Sequence, residues 1–95
     1  MKKYDVLIVG LGPTGGTLAN LLALHGFSIL IVEKEKSFYP LPRAVHFDDE
    51  IMRVFQTIGI TKKFLKHTII NKGTEWVNKK NKEVLDWPRP KAVTE

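Results

Sequence analysis

The first 33 residues alternate between continuous apolar runs and a helical pattern. Two runs rich in β-branched residues, 4–9 and 28–32, are typical of strands buried on both faces of a parallel sheet. Between them, residues 14–25 predict a helix, and Gly26 is a typical helix stop. The leucines predicted on its buried face are Leu18, Leu21 and Leu22. The pattern therefore predicts a βαβ unit.

A loop and a second helix follow this unit. Residues 34–45 contain two prolines and no helical period, so they predict a loop at the carboxyl end of the second strand. Asp48 is a good N-cap for the next helix, and Gly59 is a good stop. The predicted buried stripe is Ile51, Val54, Phe55 and Ile58. The acids at 48–50 resemble a metal cluster, but the chemistry of a helix start explains them, so no metal site is predicted.

The remaining pattern is a short helix followed by alternation. Residues 61–66 predict the helix. Residues 68–77 and 83–87 predict two antiparallel strands joined by a turn at 78–82. The predicted fold class is therefore α/β, a Rossmann-like βαβ unit followed by a helix and an antiparallel hairpin.

Composition limits the alternatives. With 95 residues, no repeat, no cysteine and no apolar stretch long enough for a bilayer, the chain predicts a small soluble cytoplasmic protein without a membrane partner. The net charge of +5 raises the possibility of a nucleic-acid binder. Much of the excess lies in lysines around Trp76, at 72, 79, 80 and 82. We interpret them as a solvated hairpin tip that protects a strand edge, so no nucleic-acid partner is predicted.

The candidate chemistry lies in the glycine loop after the first strand. Gly10 lets the chain turn, Gly12 lets a pyrophosphate approach the backbone amides, and Gly15 lets the helix lie against the strand. Pro13 fits a first helical turn, and the Thr14 hydroxyl is a candidate donor to a phosphate. The free N–H groups of the helix start then face the phosphates.

Glu33 closes the unit at the end of the second strand. Its carboxylate can accept hydrogen bonds from both ribose hydroxyls of an adenosine and would repel a 2′-phosphate. Lys34, next in the chain, is included among the candidate cofactor-binding residues. The spacing therefore favours FAD or NAD over NADP.

Longer segments carry a family resemblance. The segments GLGPTGG and YPLPRAVHFDDEIMRVFQTIGI, with LDWPRP near the end, are similar to class A flavoprotein aromatic hydroxylases of the para-hydroxybenzoate hydroxylase fold. The resemblance implies an FAD-dependent monooxygenase that uses NADH or NADPH and O₂ to hydroxylate a phenolic acid such as 3-(3-hydroxyphenyl)propionate. It also implies that Arg43 reaches the FAD phosphate and ribityl region, and that Asp48 lies near the flavin pocket. The catalytic residues stay unknown.

Features of the family that this sequence lacks indicate that it is a fragment of a larger hydroxylase. The later FAD motifs and nearly all of the substrate domain are not found in these 95 residues. We expect 1–60 to be a partial FAD-binding domain and 61–95 a piece of a truncated substrate-domain sheet, without turnover alone. Gly16 replaces a larger apolar residue of the family. The alternatives are a non-catalytic dinucleotide-binding module, another FAD or NAD oxidoreductase sharing only the βαβ unit, and a basic nucleic-acid binder. The oligomeric state is not predicted.

Overall fold

The computed structural model describes residues 1–43 and 46–89. Its elements are β1 (Val6–Val9), α1 (Pro13–Leu24), β2 (Ile29–Val32), α2 (Asp49–Ile58), α3 (Thr61–Leu65), β3 (Gly73–Val77) and β4 (Glu83–Pro88). The backbone contacts divide the chain into two compact units, Met1–Lys63 and Phe64–Glu95. The predicted functional boundary between residues 60 and 61 stays a prediction. The last two residues of the predicted loop, 44–45, and the final proline of LDWPRP lie outside the described residues.

The first unit is built on a parallel pair of strands. β1 pairs with β2 in a register that sets Val6 opposite Ile29 and Val9 opposite Val32. α1 connects the two strands and packs against both, and α2 contacts α1. Because the strands are parallel, their carboxyl ends lie at the same edge of the sheet, where the glycine loop and Glu33 follow them.

Burial alternates along this small sheet. Ile8 is the buried residue of β1, with 8% of its surface exposed, whereas Leu7 is 59% and Val9 80% exposed. Within the described residues, the cover that this apolar pattern predicts for both faces is therefore found on one face only. α1 covers one face, and the apolar side chains of the opposite face, including Leu30 and Val32 of β2, lie exposed. Both faces of these strands are apolar, but α1 covers only one of them.

The amino ends of the two strands are joined by a side-chain clamp. The Asp5 carboxylate accepts hydrogen bonds from the Ser28 backbone N–H at 2.8 Å and from its hydroxyl at 3.0 Å. The Asp5 backbone N–H donates in turn to the Ser28 hydroxyl and carbonyl oxygens, both at 3.0 Å. These bonds from Ser28 lower the pKa of the exposed Asp5 carboxyl. The clamp fixes the register at the end of the sheet opposite to the glycine loop.

The helix ends follow local capping rules. α1 spans Pro13–Leu24, one residue earlier than predicted at each end, and the chain turns at Gly26 with a positive φ of 83°. In α2 the Asp48 carboxylate accepts from the Ile51 N–H at 2.9 Å, and Gly59 ends the helix with φ 83°. The predicted caps of α2 are therefore confirmed.

The predicted buried stripes are only partly covered. In α1, Leu21 and Leu22 are half-buried, but Leu18 is 44% exposed. In α2, Ile51 is 40% exposed, while its three stripe partners are half-buried. Phe55, one of those three, also contacts the Phe47 ring at a centroid distance of 5.6 Å. The helical period predicts the direction of each face, but the depth of burial depends on what packs against it.

The second unit is an antiparallel hairpin. β3 and β4 pair from Gly73 opposite Pro88 to Val77 opposite Glu83, with an irregularity between Trp76 and Val77. The predicted strand over 68–77 is wrong for residues 68–72. There, the Asn71 side chain accepts from the Gly73 N–H at 2.8 Å, and Gly73 has a φ of 149°. This Asx turn bends the chain away from an extended strand.

None of the helices described within residues 1–43 and 46–89 has the length and hydropathy needed to cross a lipid bilayer.

Candidate cofactor-binding site

The glycine loop makes a tight turn between β1 and α1. Gly10 has a φ of 108°, which favours glycine, and its N–H donates to the Val32 carbonyl at 2.8 Å. A Cβ built on Gly15 would overlap the Gly10 carbonyl oxygen and lie 3.3 Å from Cγ2 of Ile8. Glycine at position 15 therefore lets the start of α1 lie directly against the end of β1, as the spacing predicts.

The start of α1 leaves donors free. Gly12 is the N-cap, with an extended backbone, and it has no side chain to accept from the first amides. The Gly16 N–H donates to the Gly12 carbonyl at 2.9 Å and closes the first turn. The preceding N–H groups, such as those of Thr14 and Gly15, have no acceptor within the helix. A helix start of this kind favours an anion.

The space in front of this helix start is open. A Cβ built on Gly12 would meet no heavy atom within 4 Å. Gly12 is therefore not required by packing inside the chain. A glycine that internal packing does not explain, beside free amides, fits a ligand whose phosphates approach the backbone closely.

Glu33 joins β2 to the glycine loop. One carboxylate oxygen accepts from the Leu11 N–H at 3.1 Å, and the other accepts from the Glu35 N–H at 3.2 Å. The Leu11 bond is the main cause that lowers the pKa of this exposed carboxyl, followed by the Glu35 bond, and the Lys34 charge adds a smaller effect. Glu33 is therefore an ionised acceptor at neutral pH, beside the loop that the sequence predicts as the pyrophosphate site.

Arg43 lies on the loop that follows β2. Its guanidinium carbon lies 4.1 Å from the centroid of the Tyr39 ring, a cation–π contact. The structure thus brings Glu33 to the glycine loop and places Arg43 on Tyr39. The role of Arg43 at the FAD phosphate stays a prediction. Sequence reasoning missed the Tyr39 contact, because residue spacing in a loop does not predict which side chains meet.

The acids at the start of α2 act in capping. Asp48 accepts from the Ile51 N–H, and Asp49 and Glu50 lie in the first helical turn, where negative charge is favourable. In residues 1–43 and 46–89, no group of three or more His, Cys, Asp or Glu side chains is arranged to hold a metal ion. The proximity of Asp48 to a flavin pocket stays a prediction.

Comparison with known proteins decides the family. A family described as "FAD binding domain" matches residues 3–94. The chain belongs to this family of FAD-binding domains. The predicted cofactor, FAD, and the resemblance to flavin-dependent hydroxylases are confirmed at this level. No solved structure matches the chain.

Curated relatives of this FAD-binding domain are hydroxylases by name. It is 47% identical over 85 residues to the "Probable NADH-specific resorcinol 4-hydroxylase" of Rhodococcus jostii (strain RHA1), which covers 90% of this chain and 16% of the relative. It is 40% identical over 88 residues, 93% of this chain and 15% of the relative, to the 3-(3-hydroxy-phenyl)propionate/3-hydroxycinnamic acid hydroxylase of Mycobacterium avium (strain 104). Against the enzyme of the same name from Mycobacterium sp. (strain JLS), identity is 51% over 67 residues, 70% of this chain and 12% of the relative. The FAD-binding domain thus spans between 12% and 16% of the length of these relatives.

Proposed function

We propose that this chain binds the adenosine diphosphate part of FAD in its glycine loop, as a segment of a flavin-dependent hydroxylase. The observation that carries the proposal is the open helix start at Gly12 beside the ionised Glu33, at one edge of a parallel sheet. The loop offers backbone donors to a pyrophosphate, and Glu33 offers acceptors to a ribose.

Each candidate residue has a separate role in binding the nucleotide half of FAD. Gly10 and Gly15 shape the loop, Gly12 leaves room for the pyrophosphate, and Pro13 and Thr14 begin the helix that faces it. Glu33 holds the ribose hydroxyls. Two cations extend the proposed site: Lys34 beside Glu33, and Arg43, whose guanidinium lies over the Tyr39 ring. A guanidinium suits a target with several oxygens.

For the reaction, we infer hydroxylation of a phenolic compound with NADH and O₂. The support is the names of the relatives, one an NADH-specific resorcinol hydroxylase and others 3-(3-hydroxy-phenyl)propionate hydroxylases. Bound FAD supplies the redox chemistry, while this chain's residues hold and orient its nucleotide half. A cytoplasmic location belongs to the same proposal and fits a chain without cysteine.

We further infer that these residues form a Rossmann-like part of a larger fold. The exposed apolar face of the small sheet, with Val9 80% exposed, and the match to at most 16% of the first relative support this. An apolar strand face of this kind is stable when other elements cover it. We therefore expect no NADH-dependent hydroxylation of a phenylpropionate by the 95 residues alone.

The test is FAD titration of the purified chain, followed by quenching of flavin fluorescence. We expect Gly12→Val to weaken binding on the order of a hundredfold, because the valine side chain occupies the approach to the backbone amides, while its Cβ meets no heavy atom of the chain within 4 Å. Gly16→Ala is the matched control, since its new methyl group makes only an ordinary contact with Leu11 at 3.7 Å. Circular dichroism checks that both variants keep their helices. Equal FAD affinity of Gly12→Val and the unmodified chain, or no binding by a folded unmodified chain, would contradict the proposal.

A further inference from the structure

The Glu33 side chain extends the hydrogen bonding of the parallel strands into the glycine loop. The last backbone bond between the strand ends runs from the Gly10 N–H to the Val32 carbonyl, at 2.8 Å. The next amide, that of Leu11, donates at 3.1 Å to the Glu33 carboxylate, where no main-chain acceptor continues the ladder. At the point where the loop leaves the sheet, a side-chain oxygen therefore takes the place of a main-chain carbonyl as the acceptor.

This contact acts on a glycine-rich stretch of the first unit. Leu11 lies between Gly10 and Gly12, and glycine loses more conformational freedom on ordering than any other residue. A loop of this composition needs fixed points if its amides are to face a ligand in one arrangement. The Gly10 bond fixes its first residue, and the Glu33 bond fixes the second.

The carboxylate is itself held in place. Its second oxygen accepts from the Glu35 N–H at 3.2 Å, so both oxygens are oriented by backbone donors. An ionised carboxylate has about four acceptor positions, so the bonds to the Leu11 and Glu35 amides leave it capacity to accept from a ribose hydroxyl.

We propose that Glu33 is a positioning residue for the glycine loop as well as a ribose acceptor, because its carboxylate ties the Leu11 amide to the end of β2 before FAD binds. The inference rests on the proposed function for its bearing on FAD. The tie itself is a property of the chain without ligand.

The surroundings make this tie measurable. The glycine loop, α1, β1 and β2 contain no ionisable side chain, and the neighbouring charges are those of Lys34, Glu35 and Lys36. A change in the Leu11 amide on acidification therefore reports on the Glu33 carboxyl. Glu35 is the other carboxylate in this stretch of the chain, so a variant without it serves as the control.

The test is NMR of the ¹⁵N-labelled chain without any ligand. We expect the Leu11 and Glu35 amide signals to move together as the pH falls, with one midpoint below that of an ordinary glutamate. In Glu33→Gln this shared titration disappears because the amide does not ionise, and in Glu33→Ala, which removes the acceptor, the Leu11 amide exchanges with solvent on the order of tenfold faster. Glu35→Gln is the matched control, since it removes the nearest other carboxyl and leaves the Leu11 titration in place.

The outcomes separate this inference from the proposed function. A Leu11 amide signal that does not shift with pH, or that still shifts in Glu33→Gln, would overturn the inference even if FAD binds. The pH titration of the unmodified chain tests the same contact without any substitution, so poor folding of a variant cannot decide the result. Because this readout needs no cofactor, a failure to bind FAD bears on the proposed function alone.

Discussion

Two neighbouring glycines in α1 are expected to respond in opposite ways to the same substitution. A Cβ on Gly15 overlaps the Gly10 carbonyl oxygen and lies 3.2 Å from the Gly10 carbonyl carbon. A Cβ on Gly16 has Leu11 Cδ1 as its nearest neighbour, at 3.7 Å. Both positions are helical, so both gain from the better helix propensity of alanine. The difference between the two variants therefore isolates the packing of α1 against the end of β1.

The magnitude follows from what blocks the new methyl group. The Gly10 backbone is fixed by its bond to Val32, so α1 has to move away by about 1 Å to restore an ordinary contact. Overpacking of this kind costs about 1–3 kcal/mol, and a backbone obstacle places Gly15→Ala at the upper end. The propensity gain of about 1 kcal/mol leaves a net loss of about 2 kcal/mol in the free energy of unfolding. Gly16→Ala has no such cost and gains about 0.5–1 kcal/mol.

The assay is thermal and urea unfolding followed by far-UV circular dichroism, which reports mainly on the helices. For a chain of this size we expect Gly15→Ala to lower Tm by about 10 °C, and Gly16→Ala to raise it by a few degrees. Equal stability of the two variants, or a stabilised Gly15→Ala, would show that α1 does not lie against Gly10 and Ile8 as described.

Two further predictions concern the ends of the first unit. Asp5→Ala removes the carboxylate that accepts from Ser28. We expect this variant to lose the part of the pH dependence of unfolding that comes from Asp5. Because the pKa of Asp5 is lowered on folding, its contribution is present above the ordinary aspartate pKa and lost as pH falls through the lowered value. Unfolding midpoints compared from about pH 5 to pH 2 test this, and a parallel loss in both proteins would contradict it. Asp48→Ala removes the cap at Ile51 and should lower the free energy of unfolding by about 1 kcal/mol, while the isosteric Asp48→Asn keeps an acceptor and most of the stability. Equal losses from both substitutions, measured by urea unfolding, would show that the side-chain oxygen is not the cap.

Local features of this fold could be predicted from sequence because local chemistry determines them. Asp48 and Gly59 bound α2 as predicted, since an N-cap acceptor and a left-handed glycine act within one helical turn. The strand predicted at residues 68–72 was wrong for the opposite reason. β-branched residues such as Ile69 and Ile70 favour a strand only when a partner is in register, and the turn at Asn71 and Gly73 ends the pairing.

The candidate site shows the same division. The glycine spacing and Glu33 were visible, because each residue type has one well-defined task in a βαβ unit. The Leu11 contact of Glu33 and the position of Arg43 on Tyr39 were not predicted, because both depend on which atoms the loops bring together. The Asp5–Ser28 clamp had an available signal, since each residue directly precedes its strand and the parallel register makes them neighbours.

If FAD binds at the start of α1 as proposed, the missing side-chain cap of this helix links cofactor supply to the lifetime of the protein. Its first turn consists of a proline, a threonine and two glycines, without an acidic side chain or a side-chain acceptor at Gly12. If a phosphate of FAD acts as this cap, free cofactor at about 100 times its Kd stabilises the bound form by about 2.7 kcal/mol. Opening of α1 then becomes about a hundredfold rarer, and proteases that attack opened chains lose their substrate to the same extent. Newly made chains that have not yet met FAD would be the ones degraded, so flavin availability would set how much of this protein accumulates.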